Sequence, residues 1–128
     1  MTAPTRRLLL IDDEPQMRTF LSRVAQDCGY EVRLTDNAAG FKEACASWSP
    51  DIVIIDLVMP QVDGIELLRF LAEKASKTRI LIISGFDPKV LDAAYRLGAA
   101  HGLSMIGALS KPVRVAELRA ILSPASDG

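Results

Sequence analysis

Three short, unbroken apolar runs constrain this chain more than any other feature. They are Leu8-Leu9-Leu10-Ile11, Ile52-Val53-Ile54-Ile55 and Ile80-Leu81-Ile82-Ile83. Each stops abruptly at polar residues, Asp12-Asp13, Asp56 and Ser84-Gly85 respectively. Runs of four apolar residues, rich in β-branched side chains, read as strands covered on both faces. A weaker run, Met105 to Leu109, ends at Ser110-Lys111-Pro112, and Glu31 to Leu34 reads as a short strand of alternating character.

The stretches between the runs are helical in pattern. Met17, Phe20, Leu21, Val24 and Cys28 recur at steps of three and four, with Pro15 suited to the first turn and Gly29 to the stop. Asn37 to Trp48 reads as a second helix, capped by Asn37 or Asp36, with Pro50 beyond its end. Ile65, Leu68 and Leu71 mark a third, running to about Ala75. Asp87-Pro88 opens a fourth, with Val90, Leu91, Ala94 and Leu97 on one face, and Val115, Leu118, Ile121 and Leu122 mark a fifth. Strict alternation, (βα)₅, predicts an α/β fold with a five-stranded parallel sheet, right-handed crossovers and helices on both faces.

A length of 128 residues fits one domain, expected over 1–122, with Ser123 to Gly128 as a short polar tail or the start of a linker. Half the residues are apolar and a quarter charged, with a net charge near zero, which gives no bulk attraction to nucleic acid or an anionic membrane. The two cysteines, Cys28 and Cys45, read as small hydrophobes in a reducing compartment. No apolar run approaches a membrane span and the first residues lack a leader's apolar stretch, so a cytoplasmic location is expected.

The chemistry lies at the strand ends. In a parallel sheet the ligand site forms outside the carboxyl ends of the strands. Those ends carry Asp12-Asp13-Glu14, Asp56, Ser84 and Lys111, with three of the four strands expected to be neighbours. Clustered carboxylates repel one another, and desolvation worsens the repulsion. A hard divalent cation with oxygen ligands is the cheapest compensation, and magnesium fits. Asp13 and Asp56 are assigned as direct ligands, Asp12 through water, and the backbone carbonyl of Val58 as a further oxygen. One oxygen of Asp56 then remains as a nucleophile, since carboxylates form aspartyl-phosphates. The metal, Lys111 and the Ser84 hydroxyl would each meet one phosphoryl oxygen.

Taken together, Ile11-Asp12-Asp13-Glu14, Asp56-Leu57-Val58-Met59-Pro60 with Asp63-Gly64 after it, Ser84-Gly85 and Lys111-Pro112 resemble a receiver domain of a two-component response regulator, over essentially the whole chain. The resemblance implies a flavodoxin-like three-layer sandwich with strand order 2-1-3-4-5 and a cis peptide before Pro112. It implies phosphorylation of Asp56 by a sensor histidine kinase or phosphotransfer protein. A switch in conformation would then act on an output domain or effector through the fourth helix, fifth strand and fifth helix, a face that would also serve a homodimer. The chain departs from the family at Ala108, where an aromatic residue three positions before the lysine usually couples phosphorylation to output. Phe86 and Tyr95 are the candidate substitutes. The segment from Gly98 to Lys111 also looks longer than usual, as in receivers ahead of cyclic-di-GMP phosphodiesterases.

Other readings are weaker. A phosphatase of the haloacid-dehalogenase kind needs a second aspartate where this chain has Val58. A flavin or nucleotide module would place a glycine- or hydroxyl-rich loop after the first strand, whereas Asp12-Asp13-Glu14 repels phosphate. A binding-only pseudo-receiver is disfavoured because every acceptor position is filled. Asp63-Gly64 reads as a turn and helix start, His101 as a surface residue, and Trp48 as packing at a helix end.

Overall fold

The computed structural model describes residues 6–74, 76–85 and 87–123. The expected tail beyond Ser123, the expected helix end at Ala75 and the candidate aromatic Phe86 lie outside the described residues.

The apolar runs form the sheet. β1 (Arg6–Ile11), β2 (Tyr30–Thr35), β3 (Ile52–Asp56), β6 (Arg79–Ser84) and β7 (Ser104–Ser110) lie in the order β2-β1-β3-β6-β7, every pairing parallel. Counting only these five, the order is the expected 2-1-3-4-5. The strands bearing Asp12, Asp56, Ser84 and Lys111 at their ends are four consecutive neighbours, rather than three.

Alternate residues of the same runs feed two separate cores. Leu9, Ile11, Val53, Ile55, Ile80 and Ile82 pack against α2 (Ala38–Trp48), α3 (Gly64–Glu73) and α4 (Pro88–Ala100). Leu8, Leu10, Ile52, Ile54, Leu81 and Ile83 pack against α1 (Pro15–Asp27) and α5 (Val115–Leu122). Both faces are covered, which is why the central runs show no polar alternation. Edge strand β2 alternates apolar and polar residues in sequence, but burial fades along it, from Tyr30 at 5% to Leu34 at 47% exposed. Trp48 is buried at the end of α2, flanked by the guanidinium groups of Arg7 and Arg33.

Helix starts follow local chemistry. Asn37, Asp63 and Asp87 accept the amides of Gly40, Ile65 and Lys89 as caps of α2, α3 and α4. Gly29, just past α1, takes φ +96°, a left-handed stop open to glycine. His101 is exposed at the end of α4, and both cysteines are half-buried thiols.

Two features that position the site are not visible in the periodicity. After β3 the chain makes a small antiparallel hairpin, β4 (Val58–Met59) with β5 (Val62–Asp63), before entering α3. Gly64 closes it: its amide donates to the Leu57 carbonyl at 3.3 Å, and a methyl group on Gly64 would come within 2.6 Å of Leu57 Cα. Only glycine permits that approach, so the loop following Asp56 is pinned to the start of α3. The second feature is a bulge in β7, where Ile80 pairs with Met105 but Leu81 pairs with Gly107. Ile106 is the extra residue. The bulge lets Ile106 and Gly107 both face the α5 side and returns Ala108 to the α4 side beside Met105.

Candidate functional site

Asp56 closes β3 and is 1% exposed, while Asp12, one residue past β1, is wholly buried. Ser84, the last residue of β6, is buried too, and its carbonyl accepts the Lys111 amide at 2.9 Å. That bond carries the end of the sheet one residue beyond β7 and brings Lys111 to the cleft. The Lys111–Pro112 peptide is cis, as the resemblance implies.

Lys111 Nζ lies 3.0 Å from Asp56 Oδ2, 3.4 Å from Asp12 Oδ2 and 2.7 Å from Glu14 Oε1. The other oxygen of Asp56 accepts the Val58 amide at 3.2 Å, and Asp12 Oδ1 accepts the Glu14 amide at 2.9 Å. Neither oxygen of Asp56 is therefore idle. Oδ2 shares an ammonium, and Oδ1 is fixed by the hairpin that Gly64 pins. Carboxylate oxygens from Asp12, Asp13, Glu14 and Asp56 all lie within 4.8 Å of one another.

The electrostatics are lopsided. Burial would by itself lower the Lys111 ammonium, but the hydrogen bonds it donates to Glu14 and Asp56 and the charges of Asp56 and Asp12 hold it above the usual lysine range. Asp12 is pushed from 3.8 up to about 6, first by burial and then by the Asp56 charge, against the Glu14 amide and Lys111. Its Oδ2 is buried and, despite the 3.4 Å approach of Lys111, has no hydrogen bond. Four carboxylates against one ammonium, all oxygen donors, with one buried oxygen unsatisfied, fit a hard divalent cation.

That imbalance makes stability depend on pH. The folded state holds the Asp12 proton to a higher pH than the unfolded chain does. Metal-free stability therefore falls as pH rises from about 4 through about 6, then levels off. Asp12→Asn removes the buried charge and is expected to stabilise the metal-free protein by about 1–3 kcal/mol above pH ~6. The advantage fades toward pH 4, and the substitution is expected to weaken any magnesium binding at the carboxylate cluster. Urea melts across that range, with and without magnesium, measure both effects. A variant no more stable than the parent at neutral pH would contradict the assignment.

The residues that the sequence reading assigns to phosphoryl and metal chemistry converge here. Asp12, Asp56, Ser84 and Lys111 meet at the sheet edge, Asp13 joins the carboxylate cluster, and Val58 lines the cleft. Glu14 enters the sequence reading only as part of a motif, yet it makes the shortest contact to Lys111. Its place beside Asp12-Asp13 is the only signal along the chain, because its direction depends on where α1 begins. The cleft is a depression of about 230 Å³ lined by Glu14, Asp56, Val58, Gly85 and Lys111.

Comparison with known proteins decides the family: residues 8–123 match the response regulator receiver domain. The chain belongs to that family. This receiver domain is 37% identical over 87 residues to the response regulator receiver protein CpdR of Brucella abortus, covering 68% of this chain and 72% of that protein. It is 34% identical over 119 residues to the transcriptional regulatory protein FixJ of Bradyrhizobium diazoefficiens, covering 92% of this chain and 55% of FixJ. A response regulator from Colwellia psychrerythraea superposes with a TM-score of 0.84 at 31% identity, covering 97% of this chain and 98% of that one. The function of the receiver domain is phosphorelay signalling in a two-component system, with a histidine kinase or phosphotransfer protein as partner. Among the described residues, no helix is long and apolar enough to cross a membrane.

Proposed function

We propose that Asp56 of this receiver domain is the phosphoryl acceptor. The observation that carries the reading is the buried Asp56 carboxylate with Lys111 Nζ at 3.0 Å and the oxygens of Asp12, Asp13 and Glu14 gathered around it. An oxygen of Asp56 attacks the phosphorus of a phosphohistidine on the kinase or phosphotransfer protein. The P–O bond forms as the P–N bond breaks, and its electron pair stays on the imidazole nitrogen, where a proton joins it. Lys111 neutralises one phosphoryl oxygen, and the Ser84 hydroxyl donates to another. Magnesium would be held by Asp13, Asp56 and the Val58 carbonyl, with Asp12 acting through water. When bound, it supplies charge neutralisation for the remaining phosphoryl oxygen. The domain thus catalyses its own loading and slow unloading, and controls an attached or separate output. A cytoplasmic location and the domain boundaries 1–122 go with this reading.

The switch would run through α4 and β7. Ala108 lacks a ring, but Tyr95 of α4 packs in the same core, and its hydroxyl donates to the Met105 carbonyl of β7 at 3.2 Å. Tyr95 therefore ties the helix to the strand that ends one residue before Lys111. Exposed Val90 and Val115, on α4 and α5, leave apolar surface on this face for an output partner or a second copy. FixJ, a transcriptional regulator, is matched over 55% of its length, so nearly half of that protein lies outside the match. A cyclic-di-GMP-related output finds no support in CpdR or FixJ.

Incubation with acetyl phosphate and magnesium, followed by intact-mass measurement, tests the acceptor. Gain of one phosphoryl group is expected, and none would overturn the reading. Spectra of the free and beryllofluoride-bound protein test the switch, which fails if α4 and β7 do not change.

A further inference from the structure

Glu14 stands at the entrance to α1, where a side chain ordinarily caps the helix, yet it makes no cap hydrogen bond. Its backbone is held from both sides. The amide donates to Asp12 Oδ1 at 2.9 Å, and the carbonyl accepts the Arg18 amide at 3.0 Å. The side chain reaches across the cleft to Lys111, 97 residues away, with its Oε1 2.7 Å from Nζ. It also lines the depression beside Asp56, Val58, Gly85 and Lys111.

An ammonium has three N–H donors. Here Nζ hydrogen-bonds Glu14 and Asp56 and faces Asp12. A phosphoryl oxygen that comes to Lys111 competes with these carboxylates for the ammonium. Asp12 and Asp56 are 0% and 1% exposed and sit on strand ends, so they cannot withdraw. Glu14 is 61% exposed and can swing into water. An exposed ion pair is weak enough to exchange.

We propose that Glu14 is a gate. Its carboxylate occupies on Lys111 the place an incoming phosphoryl oxygen takes, and so selects against small anionic phosphodonors. This rests on the reading of Asp56 as acceptor. A protein donor brings contacts of its own to offset displacement of Glu14. A free anion has only its phosphoryl group, and must also approach the Glu14 charge. Glu14 acts through Lys111 and is a positioning residue for the transfer.

The test compares the parent and Glu14→Gln at saturating magnesium, with acetyl phosphate, which is doubly anionic at neutral pH, and with phosphoramidate, which carries less charge. In each case the carboxylate of Asp56 attacks phosphorus, and acetate or ammonia leaves. Glu14→Gln is expected to label about three- to tenfold faster with acetyl phosphate, as loss of one exchangeable ion pair implies. The gain should be smaller with phosphoramidate, shrink as salt is raised, and vanish in a Lys111→Met background. A thermal melt confirms folding, and calorimetry measures magnesium affinity. Equal labelling rates for the two proteins, with both donors, would overturn the gate and leave Asp56 as acceptor. So would slower labelling with weakened magnesium binding, which would make Glu14 a metal ligand. Absence of labelling in both proteins would overturn the acceptor reading and the gate with it.

Discussion

Asp56→Asn is expected to abolish labelling by acetyl phosphate and magnesium while leaving the domain folded. The amide has nearly the same shape as the carboxylate, so the hairpin contact to the Val58 amide can persist through its oxygen. What disappears is the proposed nucleophile, since a neutral amide does not attack phosphorus at a useful rate. The substitution also removes one of the clustered carboxylates, so metal-free stability should hold or rise. The neighbours make this a demanding test. Asp12, Asp13 and Glu14 bring oxygens within 4.8 Å, and the Ser84 hydroxyl is buried at the adjacent strand end. Were any of them the acceptor, labelling would survive in Asp56→Asn. Intact mass measures the loss, and hydroxylamine sensitivity of the parent's label identifies an acyl phosphate rather than a serine ester. Undiminished labelling of the variant would refute the assignment.

Lys111→Ala should have the second-largest effect, on a different quantity. It removes the one ammonium that, among the described residues, meets Asp12, Glu14 and Asp56. Stripping the partner from a fully buried charge costs about 3–5 kcal/mol. Here Asp12 can take up a proton and Glu14 can turn to solvent, so a loss of about 2 kcal/mol is expected without metal. Magnesium should restore most of it, because the oxygens assigned to the metal remain. Phosphoryl transfer should not recover. Losing one preorganised donor to developing phosphoryl charge is expected to slow labelling roughly a hundredfold or more. Denaturant melts with and without magnesium, beside labelling rates, separate the two effects. A variant that binds magnesium and labels at the parent's rate would show that Lys111 only balances charge.

Much of the fold was legible because burial on both faces leaves a distinct trace. Leu8 to Ile11, Ile52 to Ile55 and Ile80 to Ile83 had to be covered by helices from either side, and the structure divides their side chains between two cores. The helices were legible from their periodicity and caps, with Asn37, Asp63 and Asp87 capping as their chemistry suggests. Elements shorter than one period were not. The hairpin Val58–Met59 with Val62–Asp63 is two residues a side, too short for alternation to register. The bulge at Ile106 changes no residue type. It exists only in the pairing with β6, so the face on which Ala108 lies could not be read along the chain.

The site divides in the same way. By itself, the sequence determined which chemistry is present: acids after the first and third strands, a hydroxyl after the next and a lysine after the last. Residues at the carboxyl ends of parallel strands must emerge on one edge, so a cleft of carboxylates with one cation was required by connectivity alone. Tertiary structure decided how those groups share their bonds. It set Asp56 between the Val58 amide and Lys111, left Asp12 Oδ2 buried without a hydrogen bond, and brought Glu14 over the cleft instead of onto its own helix. Those outcomes turn on distances of a few ångströms between residues as many as 97 positions apart. A hydrogen bond is formed or lost over such a distance, whereas a sequence pattern specifies only which groups reach the same edge.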